Sequence, residues 1–410
     1  MTIAVDAPGE RFRLSMLIYD TRYRSLTIQV IVLALVLVFI GWLVNNTIVN
    51  LAAKDKDINF SFLFNRAGYD IDQQLIPYTN DDTHFRAAII GLLNTLLVAF
   101  LGCIMATIIG VIAGVLRLSN NWLVARLMTI YIEVFRNVPL LLWIILVFVV
   151  VSETQPAPND FRLTDAMIEA GEVPKASMAL WDSVALTNRG LNIPRPLLDH
   201  PLGGMEIASF PINFSVLAAM GVLLASILVN ATLRRRARLV QEETGIRPTL
   251  WWKSLLILVV PVLALLYALG FHLEYPVLKG FNFQGGLNVA HSFTALLIAL
   301  SIYTGTYIAE AVRAGILAIS RGQTEAAYAL GLRPGRTMNL VILPQALRVI
   351  IPPLISQYLN LTKNTTLGAF ISYLDLKGTL GGITLNQTGR ELECMMLLML
   401  TYLMLSLLIS

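Results

Sequence analysis

The chain has 410 residues, of which 56% are hydrophobic and only 14% charged, and its mean hydropathy is +0.69. Soluble domains carry about 25% charged residues, so no single aqueous core can hold this much apolar surface and a bilayer must solvate much of it. A net charge of +4 with no basic domain behind it argues against nucleic acid as a partner. Cys103 and Cys394 lie inside apolar runs and read as small packing residues. His84, His200, His272 and His291 are scattered without ligand spacing, so no metal, cofactor or catalytic cluster is expected and an enzyme is disfavoured.

Crossing the hydrocarbon takes about 20 apolar residues, and eight runs qualify: 28–48, 87–116, 129–151, 214–231, 252–269, 289–310, 346–362 and 392–409. The first run is too long for a signal peptide and is preceded by Arg11, Arg13, Arg22 and Arg24, which predicts an uncleaved span with a cytoplasmic N-terminus. Eight crossings then place residues 1–27, 117–121, 233–250 and 314–345 inside. Those segments hold Arg117, the cluster Arg234, Arg235, Arg236 and Arg238, then Arg247, Arg321, Arg333 and Arg336. The segments left outside are longer and sparser in Lys and Arg, as the positive-inside bias requires. Two of them, 50–86 and 152–213, are polar and rich in Pro, Gly, Asn and Asp, and are expected to be ordered loops with short helices. In the seventh run, Pro352-Pro353 is expected to break the helical ladder.

The inside segment 314–345 reads as two short helices with a sharp turn between them. Thr324 is placed to cap the first, putting Glu325 in the first turn where the helix dipole favours an acid. Ala326, Ala327 and Ala329 form helix readily and have little bulk. Gly331 stands at the left-handed C-terminal position, with Pro334 close behind. Pro344 then opens the next span at a first-turn position. The run from Gly331 to Thr337 is no P-loop: its glycines are one residue too close, and Arg336 stands where the phosphate-binding lysine belongs.

The segment resembles the EAA motif of ABC-importer permeases: Glu325-Ala326-Ala327, then Gly331, then Val341-Ile342-Leu343-Pro344, with Val341 for the usual isoleucine. The resemblance implies a loop seated in a separate ATPase, with Glu325, Ala326, Ala327, Gly331, Leu343 and Pro344 as the coupling residues. The stretches Gly91-Leu92-Leu93-Asn94-Thr95-Leu96, 131–142, 307–315 and 362–367 are similar to polar amino-acid permeases. An extra first span, an insertion, and Asn188-Arg189-Gly190-Leu191 with Pro194-Arg195-Pro196 make the layout similar to the larger permease of general L-amino-acid importers.

The resemblance implies an all-α integral membrane fold with about eight transmembrane helices. After the 1–27 tail, 28–86 holds the extra span and a periplasmic loop, and 87–152 the first part of a five-helix core. The insertion is 153–288, and 289–410 completes the core. The implied partners are an ATP-binding subunit dimer, a second related permease as heterodimer, a periplasmic amino-acid-binding protein, membrane lipid and the amino-acid substrate, in the bacterial inner membrane. Members usually carry a short basic tail, so further residues are expected after Ser410. A self-contained secondary transporter or channel is the competing reading; it calls for paired repeats with broken helices.

Polar residues at membrane depth are costly and mark functional positions. Asn94, Thr95, Glu133, Arg136, Thr304, Glu310, Gln357, Asn360 and Lys363 supply both the cation and the acceptor that a zwitterion needs. Glu133 and Arg136 are spaced to pair on one face, as are Glu310 and Arg313. The charged residues fit snorkelling or interhelical pairing equally well, and Asn94 and the threonines fit helix–helix hydrogen bonds. The Gly110–Gly114 spacing predicts close helix packing.

Overall fold

The computed structural model describes residue 18 and residues 21–53, 58–162, 173–207, 210–246 and 248–410. Arg11, Arg13 and Arg247, used above for orientation, lie outside them. The chain divides into two units, 1–60 and 61–410. The first contains a 32-residue helix, α1 (Thr21–Ala52), whose apolar side chains are almost all exposed, as a lipid-facing span requires.

Among the described residues, seven helices are long and apolar enough to cross a membrane, and a bent pair makes an eighth. In the second unit the centre is held by α2 (His84–Leu116) and α7 (His291–Leu317). Both helices bury many small residues: Ala99, Ala106, Gly110, Ala113 and Gly114 on α2, and Ala295, Ala299, Gly305 and Ala309 on α7. A Cβ on Gly110 would lie 2.8 Å from the Gly305 carbonyl oxygen, and one on Gly114 2.6 Å from that of Ala309. The backbones themselves touch. Lipid tails are as apolar as leucine, so association in a bilayer depends on such close approach rather than on hydrophobic exclusion.

The run 129–151 is not one straight span. It forms α3 (Trp122–Asn137) and α4 (Leu140–Glu153), bent by 106°. Proline disfavours a helical conformation in the residue before it and has no N–H to donate. Val138 is accordingly extended (φ −107°, ψ 134°) and Pro139 stands at the start of the new helix. Phe135 and Trp143 stack across the corner with centroids 4.1 Å apart, and the Tyr131 hydroxyl donates to the Ile302 carbonyl of α7 at 2.6 Å.

Segment 50–86 forms a short 3₁₀ turn at Ser61–Phe64, as expected, but segment 152–213 differs from expectation. Besides a short 3₁₀ turn at Pro158–Phe161, it forms strands: β1 (Ala185–Thr187), β2 (Gly190–Ile193), β3 (Arg195–Leu198), β4 (Gly204–Ile207) and β5 (Phe210–Asn213). After the inserted helix pair α5 (Phe214–Thr244) and α6 (Trp251–Ala268) come β6 (Phe271–Glu274), β7 (Val277–Lys279), β8 (Asn282–Gln284) and β9 (Leu287–Val289). These make the antiparallel sets β1-β2-β9, β3-β6, β4-β5 and β7-β8, so the segments before α5 and after α6 fold together. Helix α5 runs on past the membrane-length stretch and carries Arg234, Arg235, Arg236 and Arg238 inside a helix rather than a loop.

After α7 come α8 (Arg321–Ala329), a turn at Pro334–Thr337, a π-turn at Met338–Ile342, and α9 (Leu343–Asn364). Pro352 and Pro353 lie inside α9 without ending it, contrary to expectation. Neighbouring groups can re-satisfy a ladder freed by proline in a membrane helix. Short helical turns over residues 365–388 lead to α10 (Glu391–Ile409).

Replacing Gly110 with alanine should cost about 1–3 kcal/mol through overpacking against α7, whereas Gly221→Ala on α5 meets nothing within 4 Å. Thermal unfolding of the purified protein in detergent should show a lowered Tm for the first variant only.

Candidate functional site

The segment 318–344 begins where α7 ends. Helix α8 starts earlier than its sequence predicts: Ser320 is the N-cap, with no side-chain bond, so Thr324 is not the cap and Glu325 lies beyond the first turn. The end of α8 is as predicted. Gly331 has φ +75°, its N–H donates to Tyr328 O at 2.9 Å, and the Leu332 N–H donates to Ala327 O at 3.1 Å. This pair of bonds is a Schellman closure, which satisfies the last carbonyls and needs a residue free to take positive φ.

Ala327 is buried, whereas Glu325, Ala326 and Gly331 are exposed. Leu330 is 81% exposed and Leu340 66%, with Tyr328, Met338 and Leu343 also open. The Gln345 amide donates to Gln323 Oε1 at 3.3 Å and to Val341 O at 2.9 Å, tying the first turn of α8 to the start of α9. Pro344 enters α9 just after the π-turn, whose wider ladder leaves room for a ring without an N–H. The result is a short, firmly terminated helix beside an open patch of apolar side chains.

The polar residues predicted at depth fall into separate groups rather than one site. Asn94 and Thr95 are fully buried on α2. The Asn94 amide donates to Gln73 O (2.8 Å) and Leu374 O (3.0 Å), and Thr95 Oγ1 accepts from the Leu376 N–H at 3.1 Å. The Tyr373 hydroxyl donates to Asn94 O at 3.1 Å. Asp375, also fully buried, accepts from the Gly378 N–H (2.8 Å) and the Tyr402 hydroxyl (3.3 Å). Sequence reasoning missed Asp375, Tyr373 and Tyr402; the only available signal was an acid between apolar neighbours at Leu374 and Leu376.

Glu310 bridges two cations: Arg313 at 3.1 Å on its own helix, as predicted, and Arg117 just beyond α2. Glu133 and Arg136 do not pair. Arg136 lies over the Tyr307 ring, 5.1 Å from its centroid, and among the described residues Glu133 accepts only a long bond from the Asn137 amide (3.5 Å). The face of an aromatic ring attracts a guanidinium where water is scarce. Thr304 is buried within α7. Gln357, Asn360 and Lys363 follow one another at three-residue spacing on α9. Asn360 and Lys363 are exposed, and none of the three has a side-chain partner among the described residues.

Comparison with known proteins places this architecture. Residues 218–410 match the family model described as binding-protein-dependent transport system inner membrane component. The glutamate/glutamine/aspartate/asparagine transport system permease protein BztB of Rhodobacter capsulatus is 66% identical over all of this chain and 96% of its own length. The general L-amino acid transport system permease protein AapQ of Rhizobium johnstonii is 41% identical over all of this chain and 94% of its own. A second permease of the Rhodobacter system, BztC, is 41% identical over 29% of this chain and 26% of its own length. Full-length likeness of this kind, on a membrane helix bundle that carries the EAA segment at the end of its central helix, makes the chain a member of the binding-protein-dependent inner-membrane transport components, the permease subunits of ABC importers.

Proposed function

We propose that the chain moves L-amino acids across the bacterial inner membrane, energised by a dimer of separate ATP-hydrolysing subunits seated on the loop 314–345. The observation that carries this reading is the Schellman-closed helix α8, joined through three residues to the buried central helix α7. A push on α8 has little slack to absorb it before reaching α7. Glu325, Ala326, Ala327, Gly331, Leu343 and Pro344 form or border the seat. The names of the full-length relatives support amino acids as the cargo. A periplasmic binding protein delivers it, and the N-terminus lies in the cytoplasm.

A second, related permease completes the membrane part. The Rhodobacter system has two named permeases, which supports a heterodimer. In this reading Gln357, Asn360 and Lys363 face the pathway between the two subunits, where Lys363 meets the substrate carboxylate. Asn94, Thr95, Glu133, Arg136, Thr304 and Glu310 border it, and most of them already have partners within the chain. No observation favours a self-contained secondary transporter or channel.

Reconstituted with the partner permease and the ATPase, the chain should support ATP-dependent glutamate uptake from the binding protein into vesicles. Uptake driven by an ion gradient with no ATPase present would overturn the assignment. Gly331→Val forces a β-branched residue into φ +75°, a strain of about 1–2 kcal/mol, with no clash because the space around it is open. The variant should insert normally but lose most of its co-purifying ATPase and most of its uptake.

Structural and pathway charges should separate in a paired measurement. Glu310→Gln leaves Arg117 and Arg313 without their shared acid, and should lower Tm by several degrees; adding Arg117→Gln should restore part of it. Lys363→Gln should leave Tm unchanged while raising the half-saturating concentration for uptake or cutting its rate at least tenfold. Unchanged uptake kinetics in Lys363→Gln would remove that residue from the pathway.

A further inference from the structure

Helix α7 ties the two ends of the second unit together. It is 27 residues long, about 40 Å at 1.5 Å per residue. One end leads into α8. At the other end, strand β9 enters α7 through the single residue Ala290. Strand β9 is an edge of the β1-β2-β9 sheet, in register Leu191↔Val289, Asn192↔Asn288 and Ile193↔Leu287. The Asn288 amide donates to Asn192 Oδ1 at 2.9 Å. Leu191 and Ile193 pack against the main apolar core, so the sheet is seated on the bundle.

The far edge of that sheet, β1, follows a turn of unusual geometry. Ala179 and Val184 close it with two backbone hydrogen bonds of 2.8 and 3.1 Å. The three residues between that lead to Ser183, namely Leu180, Trp181 and Asp182, all have left-handed φ, at 51°, 55° and 58°. None is glycine, so each is strained by its Cβ. Trp181 is 98% exposed and Leu180 66%. The fold therefore holds a strained turn whose largest side chain touches almost nothing among the described residues. Tryptophan in that setting suits a contact made with another molecule.

The charges nearby discriminate between a protein and a bilayer surface. Asp182 adjoins Trp181, and the nearest basic residues along the chain are Lys175 and Arg189, of which Arg189 donates to the Phe281 carbonyl at 3.1 Å. Residues that settle at an anionic membrane surface combine aromatics with Lys and Arg. The sheet also lies at the opposite end of α7 from the coupling segment, the side on which a binding-protein-dependent permease must meet its soluble donor.

We propose that the turn at 180–182 is a contact for the substrate-loaded binding protein, and that the β1-β2-β9 sheet carries that contact to the start of α7. This rests on the importer reading above and gives the inserted segment a role in it.

The test uses the whole transporter in nanodiscs with its binding protein loaded with glutamate. A photo-crosslinking amino acid at position 181 should join the binding protein, whereas one at 221 on α5 should not. Trp181→Ser should raise the binding-protein concentration giving half-maximal ATPase stimulation at least fivefold, relative to the rate without binding protein. Asn288→Ala should preserve the position-181 crosslink but halve the maximal stimulation or more. Crosslinking of position 181 to lipid alone, or an unchanged half-saturation point, would overturn the contact. An Asn288→Ala variant with full stimulation would overturn the transmission through the sheet. If the native transporter shows no stimulation by the loaded binding protein at all, the importer reading itself fails, and this proposal with it.

Discussion

The backbone approach of α2 to α7 is the constraint on which the rest of the second unit depends. In a bilayer, two apolar helices gain little by hiding from lipid, and what holds them is dispersion at short range. The glycines at 110, 114 and 305 remove the side chains that would keep them apart. Helix α7 then becomes the most enclosed of the membrane-length helices, with 61% of its apolar window buried, against 33% for α2 and 11% for α5. The bent pair α3–α4 and helix α9 pack against this pair, and α8 and β9 continue from its ends. The inserted helices α5 and α6 pack chiefly on each other, and their exposure is what lipid contact demands.

Polar groups at depth complete the assembly. An unsatisfied backbone group in hydrocarbon costs several kcal/mol, so the irregular backbone after α9 needs partners. Asn94 and Thr95 provide them, taking up the Leu374 carbonyl and the Leu376 N–H. Asp375 and Tyr402 extend the same arrangement towards α10. A Cβ on Gly91 would collide with Thr379 and the Asp375 carbonyl, so this connection is pressed directly onto α2. Glu310 does comparable work elsewhere, holding Arg117 and Arg313 at the α2–α7 end.

These partners change the weight of the polar residues as candidates for contact with a substrate. A buried group that already has its hydrogen bonds must give them up to bind something else, at a cost of about 1–3 kcal/mol each. Asn360 and Lys363 face no such cost, being exposed and without partners among the described residues. The same reasoning separates the two apolar features that remain open. The patch around Leu330 and Leu340 and the turn at Trp181 are both exposed in the single subunit, and they lie towards opposite ends of α7.

Much of this was legible in the sequence because bilayer thickness and backbone chemistry act locally. Twenty apolar residues in a row can go nowhere but lipid or a core, so the spans could be read directly. Gly331 showed its left-handed conformation through the residues around it, and the 110–114 spacing announced close packing. The seventh run was read as a span and is one, but its helix continues through Pro352-Pro353, because neighbouring groups can compensate for the missing donors and sequence does not reveal them. The start of α8 was misplaced by four residues, since several polar residues compete for a cap and packing selects among them. The 106° corner at Val138-Pro139, the sheet joining 185–193 to 287–289, and the Arg136–Tyr307 contact arise between residues far apart in sequence or depend on how neighbours pack. The sequence by itself determined the membrane class, most of the spans and the glycine-terminated helix of the 314–345 segment, because these follow from local composition and spacing. Only the tertiary structure decided which polar groups are already satisfied and which strand leads a strained turn into α7, because pairing depends on distances that the chain's order does not contain.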